Sequence, residues 1–119
     1  MFKKPVKPLT HGIIDYVFSG VLLAMPSILG MSRGAATTYR VLAAPFLTVD
    51  ALTDTPAGIR GLLPFRKHQK LDLGFLAGLS LLTFSKFIRK DKRVLRFHLG
   101  FLALAAGNYL LTDYRSKRG

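Results

Sequence analysis

Apolar residues fall in four long runs separated by short basic stretches, without the period-two alternation of a half-buried strand. The first run is Leu9–Met31, LTHGIIDYVFSGVLLAMPSILGM; the others cover roughly Ala35 to Thr53, Leu71 to Ile88 and Val94 to Thr112. At 1.5 Å rise per residue each is near the lower limit for crossing about 30 Å of hydrocarbon. The second run is the most interrupted, by Arg40, Pro45 and Asp50. Four soluble core helices are the rival reading, and these would carry a polar residue at most turns. FLAGLSLLTF (75–84) and FLALAAGNYLL (101–111) are instead apolar nearly all round, and a chain of 119 residues has little interior in water to hide them. The pattern therefore predicts an all-α integral membrane four-helix bundle.

Polar residues punctuate the runs in a repeated way. HGIIDY (11–16) opens the first, and HQKLD (68–72) introduces the third, so His and Asp stand four apart in both. The second run closes on ALTDT (51–55) and the fourth on LLTDY (110–114). His11 to Asp54 spans 43 residues, and His68 to Asp113 spans 45. The chain thus reads as two helical hairpins, 9–55 and 68–114, each with the order H-x3-D, span, basic turn, span, L-T-D. A linker, 56–67, joins them within one membrane domain, 9–114, flanked by basic tails at 1–8 and 115–119. An up-down-up-down path places Asp15, Asp50, Asp54, Asp72 and Asp113 at one end, with Asp91 and His98 opposite.

Composition agrees with lipid as the surroundings. Half the residues are apolar and the mean hydropathy is +0.30. The net charge of +12 would suit nucleic acid, but it gathers between the apolar runs, as in KHQK (67–70) and RKDKR (89–93). Basic loops against anionic lipid account for that placement, so no nucleic-acid partner is expected. Ten Lys and Arg fall on the side of the termini and eight on the other, which leans toward cytoplasmic termini. MFKKPVKPLT looks like the basic region of a signal peptide, but Ala24-Met25-Pro26 is a poor cleavage site, so the first run reads as a retained span. Without cysteine there is no disulfide, thiolate metal site or thiol nucleophile.

The candidate chemistry lies in the acids and histidines. His11, Asp15, Asp50, Asp54, His68, Asp72 and Asp113 form an expected polar collar that stitches short helices together near the membrane interface. His11 and His68 are also candidate axial ligands for a haem or another tetrapyrrole, with Gly12 and Gly74 helping to line its cavity. His11, Asp15, His68 and Asp72 nominally offer two imidazoles and two carboxylates to a metal. Beside so many lysines the set reads as a hydrogen-bond network, and no metal or cofactor is assigned. Gly74-x3-Gly78 has the spacing that permits close contact between membrane helices. Arg60, Phe65, Arg66 and Lys67 in the linker, and Arg89, Lys90, Lys92 and Arg93 in the last basic turn, are the expected contacts with lipid headgroups or a protein partner.

The segment GVLLAMPSILGM (20–31) resembles the bacterial SPW-repeat membrane proteins, which have paired spans and a Ser-Pro-Trp element before an apolar-glycine turn. Met25-Pro26-Ser27 stands where that triad would be, tryptophan is absent, and the second unit lacks the matching proline. The resemblance implies a bacterial protein with four spans, placed in the inner membrane, and transfers no functional residue. The chain has no glutamate, no metalloprotease His-Glu pattern and no phosphate loop. The expectation is a small non-enzymatic structural or accessory subunit of a larger bioenergetic or transport complex. The alternative is a redox or ion-handling module that binds a tetrapyrrole or a metal through His11 and His68.

Overall fold

A computed structural model describes residues 4–115, and these form five helices in one bundle. Helix α1 is Pro8–Ile28, α2 Arg33–Leu52, α3 Phe65–Leu82, α4 the single turn Lys86–Arg89, and α5 Lys92–Leu111. The all-helical class is as the pattern predicts, and no strand occurs among the described residues. The tails lie partly outside these bounds, as do Lys3, Lys117 and Arg118 from the charge count.

The helix ends follow local chemistry. Pro8 opens α1, where its missing N–H costs nothing. Leu29 caps α1, and Gly30 follows with φ +60, a left-handed position that glycine adopts freely. Gly30 N–H donates to the Ser27 carbonyl, and Met31 N–H donates to the Pro26 carbonyl, which closes the turn in the Schellman pattern. Ser32 then starts α2, its Oγ accepting the Ala35 N–H at 3.3 Å. The α1–α2 hairpin is therefore short and sharply made. Helices run through both Pro26 and Pro45.

The third run differs most from its expected bounds. It starts at Phe65, since Pro64 sets the extended backbone that precedes a helix, and it stops at Leu82. The Thr83–Ser85 break, α4 and Asp91 follow, and the Asp91 side chain accepts the Arg93 N–H at 2.9 Å to begin α5. Among the described residues, only α1 and α5 are long and apolar enough to cross a membrane. Arg33, Arg40 and Asp50 lower the hydropathy of α2, and FRKHQK does the same for α3.

Helix α1 packs on α2, and α3 on α5, as two hairpins. Aromatic pairs join them: Phe18 against Phe101 with centroids 5.0 Å apart, and Phe46 stacked on Phe75 at 4.5 Å. Leu22, Ala43, Leu79, Ile88 and Val94 complete the apolar core. At the far end Tyr39 and His98 Nδ1 are hydrogen-bonded at 2.7 Å, and His98 Nε2 lies 2.8 Å from the Leu79 carbonyl. His98 thus ties α2, α3 and α5 together, far from the other two histidines. Arg40 reaches back to α1, donating to Ser27 Oγ at 2.6 Å.

A Cβ added at Gly74 or Gly78 would meet nothing within 4 Å, so both face outward and mediate no contact within the bundle. Packing requires glycine elsewhere, at Gly12 against Ala57 and at Gly58 in the linker. A Cβ on Gly58 would fall onto the Thr53 carbonyl oxygen. Gly58→Ala should destabilise the protein by about 1–3 kcal/mol, as overpacking against backbone does. Gly78→Ala should be neutral or stabilising by up to about 1 kcal/mol. Thermal unfolding in detergent, followed by helical circular dichroism, checks the contrast.

Candidate functional site

Helices α1 and α3 begin side by side, and a spacing of four puts His11 above Asp15 and His68 above Asp72 on their inner faces. All four side chains are buried. His11 Nε2 lies 3.1 Å from Asp15 Oδ2 on its own helix and 3.0 Å from Asp72 Oδ2 on the other. His68 Nε2 lies 3.1 Å from Asp72 Oδ1 and 3.0 Å from Asp15 Oδ2. The two Nε2 atoms are 3.3 Å apart. Each carboxylate is therefore as close to the other helix's imidazole as to its own.

The opposite edge of each ring meets a threonine. His11 Nδ1 is 2.7 Å from Thr112 Oγ1, and His68 Nδ1 is 2.7 Å from Thr53 Oγ1. Thr53 donates its hydroxyl hydrogen to the Val49 carbonyl, and Thr112 donates to that of Asn108. With its one hydrogen so used, each hydroxyl accepts from imidazole, which fixes Nδ1–H and turns Nε2 toward the carboxylates. Both threonines leave the helix in extended conformation, ψ 140 at Thr53 and 134 at Thr112.

Matching backbone bonds hold these corners. Leu63 N–H donates to the Leu52 carbonyl at 2.9 Å, and Asp54 N–H to the Leu63 carbonyl at 2.7 Å. At the other corner Val6 N–H donates to the Leu111 carbonyl at 3.0 Å, and Asp113 N–H to the Val6 carbonyl at 2.8 Å. Val6 and Leu63 each precede their histidine by five residues. The segment before each histidine is thus pinned to the helix end that supplies a threonine.

Asymmetric partners complete the surroundings. Asn108 Nδ2 donates to Asp15 Oδ1 at 3.3 Å, and Tyr114 OH donates to Asp72 Oδ2 at 2.7 Å. Burial above all, then the facing Asp72 carboxylate, keeps the Tyr114 phenol well above its ordinary range, so it remains a donor. Phe65 and Tyr114 stand edge-on to the His11 ring, with centroids 5.5 and 5.3 Å away.

The expected collar therefore divides. His11, Asp15, His68, Asp72 and Asp50 are buried together, and Asp50 Oδ2 has no hydrogen-bond partner among the described residues. Asp54 is exposed, and Asp113 is half-buried with its carboxylate 3.6 Å from Lys7. Asp50 and Asp54 do not face each other because α2 ends between them, at Leu52. In both L-T-D endings the threonine enters the site, not the aspartate. Phe65, expected to meet lipid or a partner, is buried over the histidines. Arg60, Arg66, Lys67, Arg89, Lys90, Lys92 and Arg93 lie at the surface, as a contact role requires.

A tetrapyrrole does not fit. Axial imidazoles must stand on opposite faces of a macrocycle, whereas these Nε2 atoms converge with carboxylates between them. The adjoining cavity is about 10 Å³, the size of one water molecule. Ala57 packs against Gly12, and Gly74 faces outward, so neither glycine opens space. No protein family, curated protein or solved structure matches this chain.

Removing Asp72 takes away the carboxylate that both imidazoles and the Tyr114 hydroxyl face in a buried site. Asp72→Ala should cost about 3–5 kcal/mol, as does breaking a buried pair from one side. Thr53→Val and Thr112→Val each strand an imidazole N–H and should each cost about 1–3 kcal/mol. Nearly equal losses from the two threonines, read as melting temperatures in detergent, check that the corners are equivalent.

Proposed function

We propose that this chain is a small integral membrane protein, a four-span bundle of two related hairpins, that serves as a structural or accessory subunit of a larger membrane assembly. The observation that carries the reading is the exposure of large apolar side chains on all four long helices beside a cluster of buried polar groups. Ile13, Val17, Ile28, Val41, Leu73, Leu81, Leu104 and Leu110 are exposed on the four long helices, and each is more than half exposed. The interior meanwhile holds three histidines, three aspartates, an asparagine, a serine and two threonines. Water as solvent would favour the reverse arrangement, whereas lipid favours this one.

Outward hydroxyls support the same reading. Thr38, Thr48 and Ser80 each donate to the carbonyl four residues back, on the same helix. A hydroxyl facing hydrocarbon is satisfied in that way without a partner from outside. The less apolar helices α2 and α3 carry their charge near their ends or toward the buried site, except for Arg40, which is exposed two turns into α2 and donates to the Leu23 carbonyl and Ser27 Oγ of α1. The corresponding bonds at the two corners support an origin of the hairpins from one duplicated unit. Exposed lysines and arginines at both ends of the bundle suit anionic headgroups. A bacterial inner membrane with cytoplasmic termini remains the favoured setting.

Alkaline carbonate washing of membranes from expressing cells should leave the chain in the pellet, released only by detergent. Recovery in the aqueous phase overturns the membrane assignment. Native mass spectrometry of protein extracted from its own membrane should then show one defined additional polypeptide in fixed ratio. A bare monomer or homo-oligomer overturns the accessory role while leaving the membrane assignment intact.

A further inference from the structure

We propose that His11 Nε2, His68 Nε2, Asp15 Oδ2 and Asp72 Oδ1 are the four ligands of one divalent metal ion of the zinc type, held as a structural clamp between the two hairpins. It goes beyond the expectation of a hydrogen-bond network without an ion, and it does not depend on whether lipid or water surrounds the bundle.

Convergence is the first ground. One donor atom from each residue lies within 4.8 Å of the others; both Nε2 atoms are 3.0 to 3.1 Å from Asp15 Oδ2, His68 Nε2 is 3.1 Å from Asp72 Oδ1, His11 Nε2 is 3.0 Å from Asp72 Oδ2, and the two Nε2 atoms are 3.3 Å apart. Four donors placed tetrahedrally around zinc at its ~2.0–2.1 Å bond lengths lie about 3.3 Å from one another. The imidazole planes cross at 79°, so two ring edges approach one point from different directions.

A metal-free network accounts for this geometry poorly. An Nε2–H has one hydrogen and one direction, yet each Nε2 sits near two carboxylates and the other Nε2. A central cation meets all four donors at once. It also supplies two positive charges against the two buried carboxylates, leaving the centre neutral.

The supporting partners are the second ground, because they leave one coordinating atom free on each residue. Thr112 and Thr53 take Nδ1 of His11 and His68, which directs the Nε2 lone pairs inward. Asn108 takes Asp15 Oδ1 and leaves Oδ2. Tyr114 holds Asp72 Oδ2, which also lies 3.0 Å from His11 Nε2, and leaves Oδ1, 3.1 Å from His68 Nε2. Metal-binding imidazoles and carboxylates are characteristically oriented by such hydrogen bonds.

Two nitrogens and two oxygens in this arrangement suit zinc, with cobalt(II) as a spectroscopic substitute; soft, thiolate-seeking ions have no matching ligand. The adjoining cavity admits at most one water and no organic substrate. A metal here holds α1 to α3 and, through the threonines, both to the ends of α2 and α5.

The test uses the full chain, purified in mild detergent without chelator. Elemental analysis should find one zinc per chain, and X-ray absorption should show imidazole nitrogen and carboxylate oxygen in a four-coordinate shell. Replacement by cobalt(II) should give the intense visible bands of a tetrahedral ion. His68→Gln should weaken cobalt binding by at least ~100-fold and Thr53→Val by ~10-fold, with helicity monitored throughout. If His68→Gln does not fold, the absorption spectrum of the wild-type chain decides alone. A folded wild-type chain that stays substoichiometric in zinc and gives no tetrahedral cobalt bands overturns the proposal. So does zinc held equally well by folded His68→Gln, which places the ion elsewhere. Detergent partitioning of the same preparation reports separately on the membrane assignment.

Discussion

Two carboxylates are buried against two imidazoles where α1 and α3 start, and the rest of the bundle is arranged around keeping that charge compensated. Unpaired, either aspartate would carry a heavy desolvation penalty in such a place. Compensation requires both hairpins at once, since each carboxylate touches a histidine from each. The quartet therefore sets how the hairpins face one another and brings both helix starts to the same depth. Short extended segments before each histidine, bound to the ends of α2 and α5, hold that register.

Further along the bundle, apolar contacts replace charge. Phe18, Phe101, Phe46 and Phe75 follow the quartet, and Leu22, Ala43 and Leu79 extend the core toward the Tyr39–His98 contact at the far end. The bundle is thus anchored at both ends by buried polar bonds, with an aromatic middle. Such directional bonds specify a unique packing where exposed leucines cannot, because the outer surface has no interior to enter.

Much of the site was legible in outline. Equal His-Asp spacing in HGIIDY and HQKLD marked the four converging residues, because a separation of four puts side chains on one helix face. The shared L-T-D ending also marked both corners, but charge drew attention to Asp54 and Asp113 when Thr53 and Thr112 carry the contact. A hydroxyl that donates to its own helix and accepts from an imidazole is ordinary in sequence and becomes specific only in place. Asn108, Phe65 and Tyr114 had no pattern to announce them. Each enters the site through a partner distant in the chain, as Tyr114 does through Asp72.

By itself, then, the sequence determined the helical class, the approximate runs, the hairpin order and the end of the bundle where acids and histidines gather. These follow from periodicity, punctuation and alternating direction, all local or nearly local properties. Tertiary structure decided that α3 begins at Phe65, that Gly74 and Gly78 face outward, and that Asp50 is buried while Asp54 is not. It also decided that the two His-Asp pairs cross-link into one centre instead of remaining two separate pairs. Helical spacing fixes which residues share a face, but only the packing of one face on another fixes the distance between them.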